Sequence, residues 1–161
     1  MTFDLQGAVT KLVNHFKAEA DLLLDMAYTV DAKCTQLGEN TCCLYLYYIG
    51  AYLIQMVTDA VLVLGMMRSD VTQRAISRVL MIRADSQLID AYVQRGWVDQ
   101  TVANRAKEAL SIEEDRLQDL FNQLDNILNA SYDELRQYFE NIFDQFAQIY
   151  SNRGCQAVIA W

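Results

Sequence analysis

The sequence predicts an all-α, up-down helical bundle of four long segments, the last open to breaks at Ser111 and Ser131, and three observations predict it. Apolar residues recur at intervals of three and four along almost the whole chain. Proline is absent from the 161 residues and glycine occurs only 6 times, which leaves too little punctuation for the many turns of an all-β fold. Short connections around residues 38–40, 68–69 and 96–98 favour antiparallel neighbours. The chain reads as one domain over 1–154, followed by a short apolar tail, 155–161.

The first segment runs from about Phe3 to about Gln36. Leu5, Val9, Leu12, Phe16, Leu23, Ala27, Val30, Cys34 and Leu37 form one apolar stripe, with Lys11, Lys17, Asp21 and Asp25 mostly off it. Gly38 is the natural stop, and Asn40 offers the next N-cap.

Residues 41–67 differ in kind. Between Glu39 and Arg68 the sole charge is Asp59. A helix apolar nearly all round is either the centre of a bundle or a membrane span. Its polar groups favour the bundle. Tyr45, Tyr48, Tyr52, Gln55 and Asp59 follow spacings of three, four, three and four, so they lie along one seam. Hydrocarbon would leave those groups unsatisfied, whereas a bundle edge or a partner group would not. Asp59, if buried, needs a cation, and the arginines of the next segment are the natural supply.

Ser69-Asp70 caps a third segment that carries Ala75, Val79, Leu80, Ile82, Leu88, Ile89 and Val93 inward and ends at Gly96. The last third holds two capping-box matches, Ser111-Ile112-Glu113-Glu114 and Ser131-Tyr132-Asp133-Glu134, which suggest bends at Ser111 and Ser131, with one long curved helix as the alternative. Across the second box, Leu117, Phe121, Leu124, Leu128, Leu135, Tyr138 and Ile142 keep a four-three spacing suited to one continuous neighbour.

Charge and motifs narrow the function by exclusion. The formal charge is −8, with 9 acids against 3 bases after residue 112, so nucleic acid is disfavoured and a basic protein would dock at 113–144. No nucleophile elbow or phosphate loop occurs, and the one histidine, His15, limits triad chemistry. His15 with Glu19 has metal-sharing spacing, but the paired Glu-x-x-His pattern of di-metal bundles is missing, and no metal or cofactor is expected. Cys34, Cys42, Cys43 and Cys155 read as buried thiols or as disulfides, among which a staple from Cys34 to Cys42 or Cys43 suits an antiparallel helix pair. The start of the chain lacks a basic, apolar leader, so the cytoplasm is the default location. Asn129-Ala130-Ser131 matches a glycosylation sequon.

Six aromatics fall in the last helical piece, and Tyr138, Phe139, Phe143, Phe146 and Tyr150 make an apolar band wider than a bundle stripe needs. With Trp161 as an anchor, that band is the candidate docking face. The expected function is that of a non-enzymatic, all-helical interaction or accessory protein that pairs as a homodimer through this face. The alternatives are membrane association through 41–67 and an apolar small-molecule site along Tyr45, Tyr48 and Tyr52.

Overall fold

The computed structural model describes residues 4–155 of the chain, and among them there is no strand. The protein is an all-α helical bundle built from α1 (Leu5–Ala32), the single turn α2 (Cys34–Leu37), α3 (Glu39–Gln94) and α4 (Gln100–Asn152). Asp4 caps α1 by accepting a hydrogen bond from the Gly7 N–H at 2.9 Å. Gly96 ends the α3 rod with φ +73°. The Trp97 N–H bonds back to the Tyr92 carbonyl, the Gly96 N–H to that of Val93, and the Tyr92 and Trp97 rings lie 5.7 Å apart. That is a Schellman stop with its hydrophobic contact, and Gly154 ends α4 by the same bonding pattern.

The expected breaks at 68–69, Ser111 and Ser131 are not there. Segments 41–67 and 70–94 are one helix, and both capping boxes lie inside α4. Ser131 shows why: it falls on the inward row of α4 and is only 7% exposed. Serine in a helix interior costs about 0.5 kcal/mol, whereas a break there would interrupt a continuous apolar row. At Ser131 the row prevails, and at 68–69 and Ser111 no proline or positive-φ glycine ends the helix.

The helices divide into two compact units, the first comprising residues up to Leu64 and from Leu128 onward, the second Gly65–Ile127. In the first unit α1 and the initial part of α3 and final part of α4 share a core. Val9, Val13, Phe16, Ala20, Leu23 and Ala27 come from α1. Cys42, Leu46, Ile49, Leu53, Met56 and Ala60 come from α3, and Leu135, Phe139, Ile142, Phe146 and Ile149 from α4. Spacings of three and four run through all three sets, so each helix offers one row to the others. Three bonds between α1 and α4 join residues 117 apart (Lys17 to Glu134, Tyr138 to Asp21, and Tyr28 to Gln145), which fixes the two helices as parallel. The segment 41–67 is not wrapped on all sides, as the sequence suggested. One face of it is core, while Leu44, Tyr45, Tyr48, Tyr52, Val61 and Leu62 are exposed.

All four cysteines are paired. Cys34 bonds Cys42 across the α1–α3 turn, and Cys43 bonds Cys155 beyond the end of α4, with Cα separations of 5.2 and 5.5 Å. Adjacent helical residues point about 100° apart, so Cys42 and Cys43 reach different neighbours. Arg153 reinforces the same end by donating to the Asp31 carboxylate and to its backbone carbonyl at 2.7 Å.

The second unit is a helical hairpin. Arg68–Asp125, Arg78–Glu113 and Asp90–Lys107 pair residues whose numbers run in opposite senses, the mark of an antiparallel register. Only Ala75, Ile82, Ala103 and Leu124 are buried between the helices, because two helices enclose little, and Leu80 and Leu88, expected inward, are exposed. The Arg78 guanidinium makes two bonds to Glu113, at 2.8 and 3.0 Å. That pairing holds Glu113 below the usual carboxylate range and Arg78 above its ordinary value.

Two predictions follow from these ties. The chain-entropy term is about 2.5 kcal/mol for the 8-residue span and about 5 kcal/mol for the 112-residue span. Cys43→Ser/Cys155→Ser should therefore lower stability in urea by about 2 kcal/mol more than Cys34→Ser/Cys42→Ser. Equal losses would mean that chain closure is not what these bonds contribute. Glu113→Gln should remove a contribution that is present above the carboxylate range and lost on acidification, so its stability should fall less steeply with falling pH than that of the parent chain.

Candidate interaction surface

The aromatic face expected at the end of α4 is core. Phe146 is 1% exposed, Phe139 and Tyr150 are buried with it, and Tyr138 and Phe143 are half-buried. Trp161 lies outside the described residues. The band looked too wide because α4 meets two neighbours in its unit, α1 on one flank and α3 on the other, and aromatic residues fill both flanks. Tyr138 belongs to the α1 flank. Its hydroxyl donates to the Asp21 carboxylate, and the Lys17 ammonium sits 5.2 Å from its ring centre while pairing with Glu134. Donation to a carboxylate holds the Tyr138 phenol protonated and pushes its pKa up to about 12.

The seam of α3 is where the surface lies. Tyr48 and Tyr52 are 59% and 58% exposed, and Tyr45, Gln55 and Asp59 are exposed along the same line. Asp59, in water, needs no buried cation, and the arginines expected to reach it have other partners: Arg74 pairs with Asp70, Arg78 with Glu113 and Arg83 with Glu114. Tyr48, Ile49 and Tyr52 form one wall of a surface groove of about 460 Å³, and Leu22, Leu23 and Met26 of α1 form the other, with Glu19 at the margin. Leu22 and Met26 were missed from sequence. The available signal was the run Leu22-Leu23-Leu24, since a single helical stripe does not bury three consecutive residues.

A smaller apolar cavity of about 130 Å³ lies between α3 and α4, lined by Val57, Ala60, Leu64, Leu135, Phe139 and Phe143. His15 and Glu19 stand 3.6 Å apart with His15 well exposed, and no group of three or more metal-ligating side chains occurs among the described residues.

The acidic stretch 113–144 is partly neutralised from within. Of its nine carboxylates, Glu113, Glu114, Asp125, Glu134 and Glu140 pair with bases of the same chain. The unit that carries the groove is the more acidic one, with 11 acidic against 5 basic residues over 1–64 and 128–161.

Comparison of the chain with protein-family models, with curated proteins and with solved structures returned no match.

The Tyr138 bond sets a pH dependence of known sign. The phenol ionises near 10 in the unfolded chain and at about 12 in the folded one, so its contribution is full below 10 and is lost as pH rises toward 12. Tyr138→Phe should cost about 0.5–1.5 kcal/mol at neutral pH. It should also flatten the alkaline fall in stability, read by urea unfolding at several pH values. An unchanged alkaline slope would show that Asp21 does not hold this proton.

Proposed function

We propose that this protein is a non-enzymatic, all-helical interaction protein that docks through the outer face of its first unit. One observation carries the reading: α1 and α3 leave Leu22, Met26, Leu44, Tyr48, Tyr52 and Leu62 exposed on a unit whose core is otherwise complete. Exposed apolar area rimmed by polar groups is what docking surfaces present, and tyrosine is enriched there because it gives contact area with little loss of conformational freedom. Self-association through Phe139, Phe146 and Tyr150 has no support from where those side chains sit. An oxidising compartment replaces the cytoplasm in this reading, and the two disulfides support that choice.

Membrane association is the second reading. What favours it is that the most apolar 18-residue window of α3 is only 33% buried.

Vesicle sedimentation separates the two. On the docking reading the oxidised chain purifies without detergent and stays in the supernatant with phosphatidylcholine and phosphatidylserine vesicles. Tyr48→Lys/Leu62→Lys leaves the helical circular dichroism intact and abolishes association with other proteins. Sedimentation of most of the protein with vesicles, relieved by the same two substitutions, would reject docking in favour of the membrane.

A further inference from the structure

We infer that the hairpin unit is half of a four-helix bundle, completed by the same unit of a second copy of this chain. The contact uses one flank of the hairpin and is separate from the docking face of the first unit.

The two flanks of the hairpin differ in composition. On one, Arg68–Asp125, Arg83–Glu114 and Asp90–Lys107 bridge the helices, and Arg83, Gln87, Lys107 and Glu114 wall the groove between them. On the other, α3 presents Met81, Leu88 and Tyr92, and α4 presents Val102, Ile112 and Leu120. With Asp85 on α3 and Arg105 and Arg116 on α4, these residues form rows at the spacing of one helix face. Met81, Leu88, Val102 and Ile112 are about half exposed. The outer side of α4 shows what a helix facing only water carries, namely Glu108, Asp115 and Asp119. The apolar flank is instead the open side of an unfinished bundle, on a unit that buries little by itself.

Register is the second support. The ion pairs align the helices so that Met81 stands level with Ile112, and Tyr92 with Val102. A two-fold axis parallel to the helices keeps every residue at its level and lays α3 of each copy on α4 of the other. Met81 then meets Ile112 of the second copy, and Tyr92 meets Val102, in a square bundle whose neighbouring helices are all antiparallel. The flank is two helices wide, about 20 Å, and about 27 Å long from Val102 to Leu120. Covering it on both copies removes about 1,100 Å² from water, above the roughly 1,000 Å² that a specific interface needs.

Charges on the flank itself select the occupant. Arg74 and Arg78 are held within the chain by Asp70 and Glu113. Asp85 of α3 and Arg105 and Arg116 of α4 are exposed, and none of the three forms an ion pair among the described residues. In the antiparallel register Asp85 stands level with the gap between the two arginines, about 8 Å from each along the axis. In the pair it faces that gap on the other copy, within reach of either guanidinium. The other two-fold axis, perpendicular to the helices, would gather four arginines along one helix pair and leave both aspartates on the other. A second copy in the first arrangement therefore supplies an acid for these bases and bases for this acid.

The test is the solution mass of the full oxidised chain, read by sedimentation equilibrium at about 50 μM protein and about 150 mM salt. Twice the mass of one chain is expected. Leu88→Glu/Ile112→Glu should halve it. Ile76→Glu, exposed on the far side of α3, and Tyr48→Lys/Leu62→Lys, on the first unit, should leave it unchanged. Asp85→Arg and Arg105→Asp/Arg116→Asp should each weaken the pair at least about tenfold. An equimolar mixture of those two chains should recover the doubled mass, because Asp85 of one then meets the native arginines of the other and the introduced charges meet each other. The recovery also shows that both variants fold. The assignment is overturned if the parent chain has the mass of one copy, or if Leu88→Glu/Ile112→Glu keeps the doubled mass. It is also overturned if either control variant loses the doubled mass, or if the two charge variants fail to pair on mixing.

Discussion

Uninterrupted three-four spacing of apolar side chains is the constraint on which this structure depends. It holds α4 as a single helix across Ser131, where local chemistry invites a stop. A capping serine contributes about 1 kcal/mol at a real terminus. The inward row of α4 contributes far more, because each fully buried leucine or phenylalanine is worth about 1.5–3 kcal/mol. The glycines that do end helices, Gly38, Gly96 and Gly154, adopt φ values of +83°, +73° and +69°. Real stops are thus marked by a backbone conformation that side-chain-bearing residues avoid, and serine offers nothing comparable.

That contrast explains what was legible in the sequence. The all-α class, the stops at Gly38 and Gly96, and the four-three row from Leu117 to Ile142 follow from periodicity and glycine placement, which act locally. The break suggested at Ser131 is absent because a capping motif is a local preference that a tertiary row can override, and at 68–69 and Ser111, where few side chains are buried, no proline or positive-φ glycine ends the helix. The aromatic band was misplaced for a different reason. Periodicity reveals how wide an apolar face is but not how many helices it meets, and Phe139, Phe143 and Phe146 fill the flanks of a helix with two neighbours. The tyrosine seam was visible as a line of spaced residues. Its partner row on α1 was not singled out, because Leu22 and Met26 look like additions to an already sufficient stripe.

Charge is organised with the same economy. In the hairpin unit, arginines on α3 meet carboxylates on α4, which sets the antiparallel register of two helices that bury little between them. Exposed pairs of this kind contribute less than about 1 kcal/mol each, so they specify alignment more than they add stability. In the other unit the bonds between α1 and α4 set a parallel register, while the opposite face of α1 is left with apolar side chains in water. Alignment by polar groups on one side frees the other side for contact.

The neighbouring cysteines 42 and 43 have a consequence for how the chain reaches this arrangement. Exchanging their partners would shift the connection by only one residue along the sequence, yet it would swing α3 about 100° around its axis relative to the helix it is tied to. Leu46, Ile49 and Leu53 would leave the interior and Tyr47, Gly50 and Ile54 would take their place. Which thiol oxidises with which therefore decides which side of the helix is inside, and the packing of the core is in turn what proofreads the chemistry.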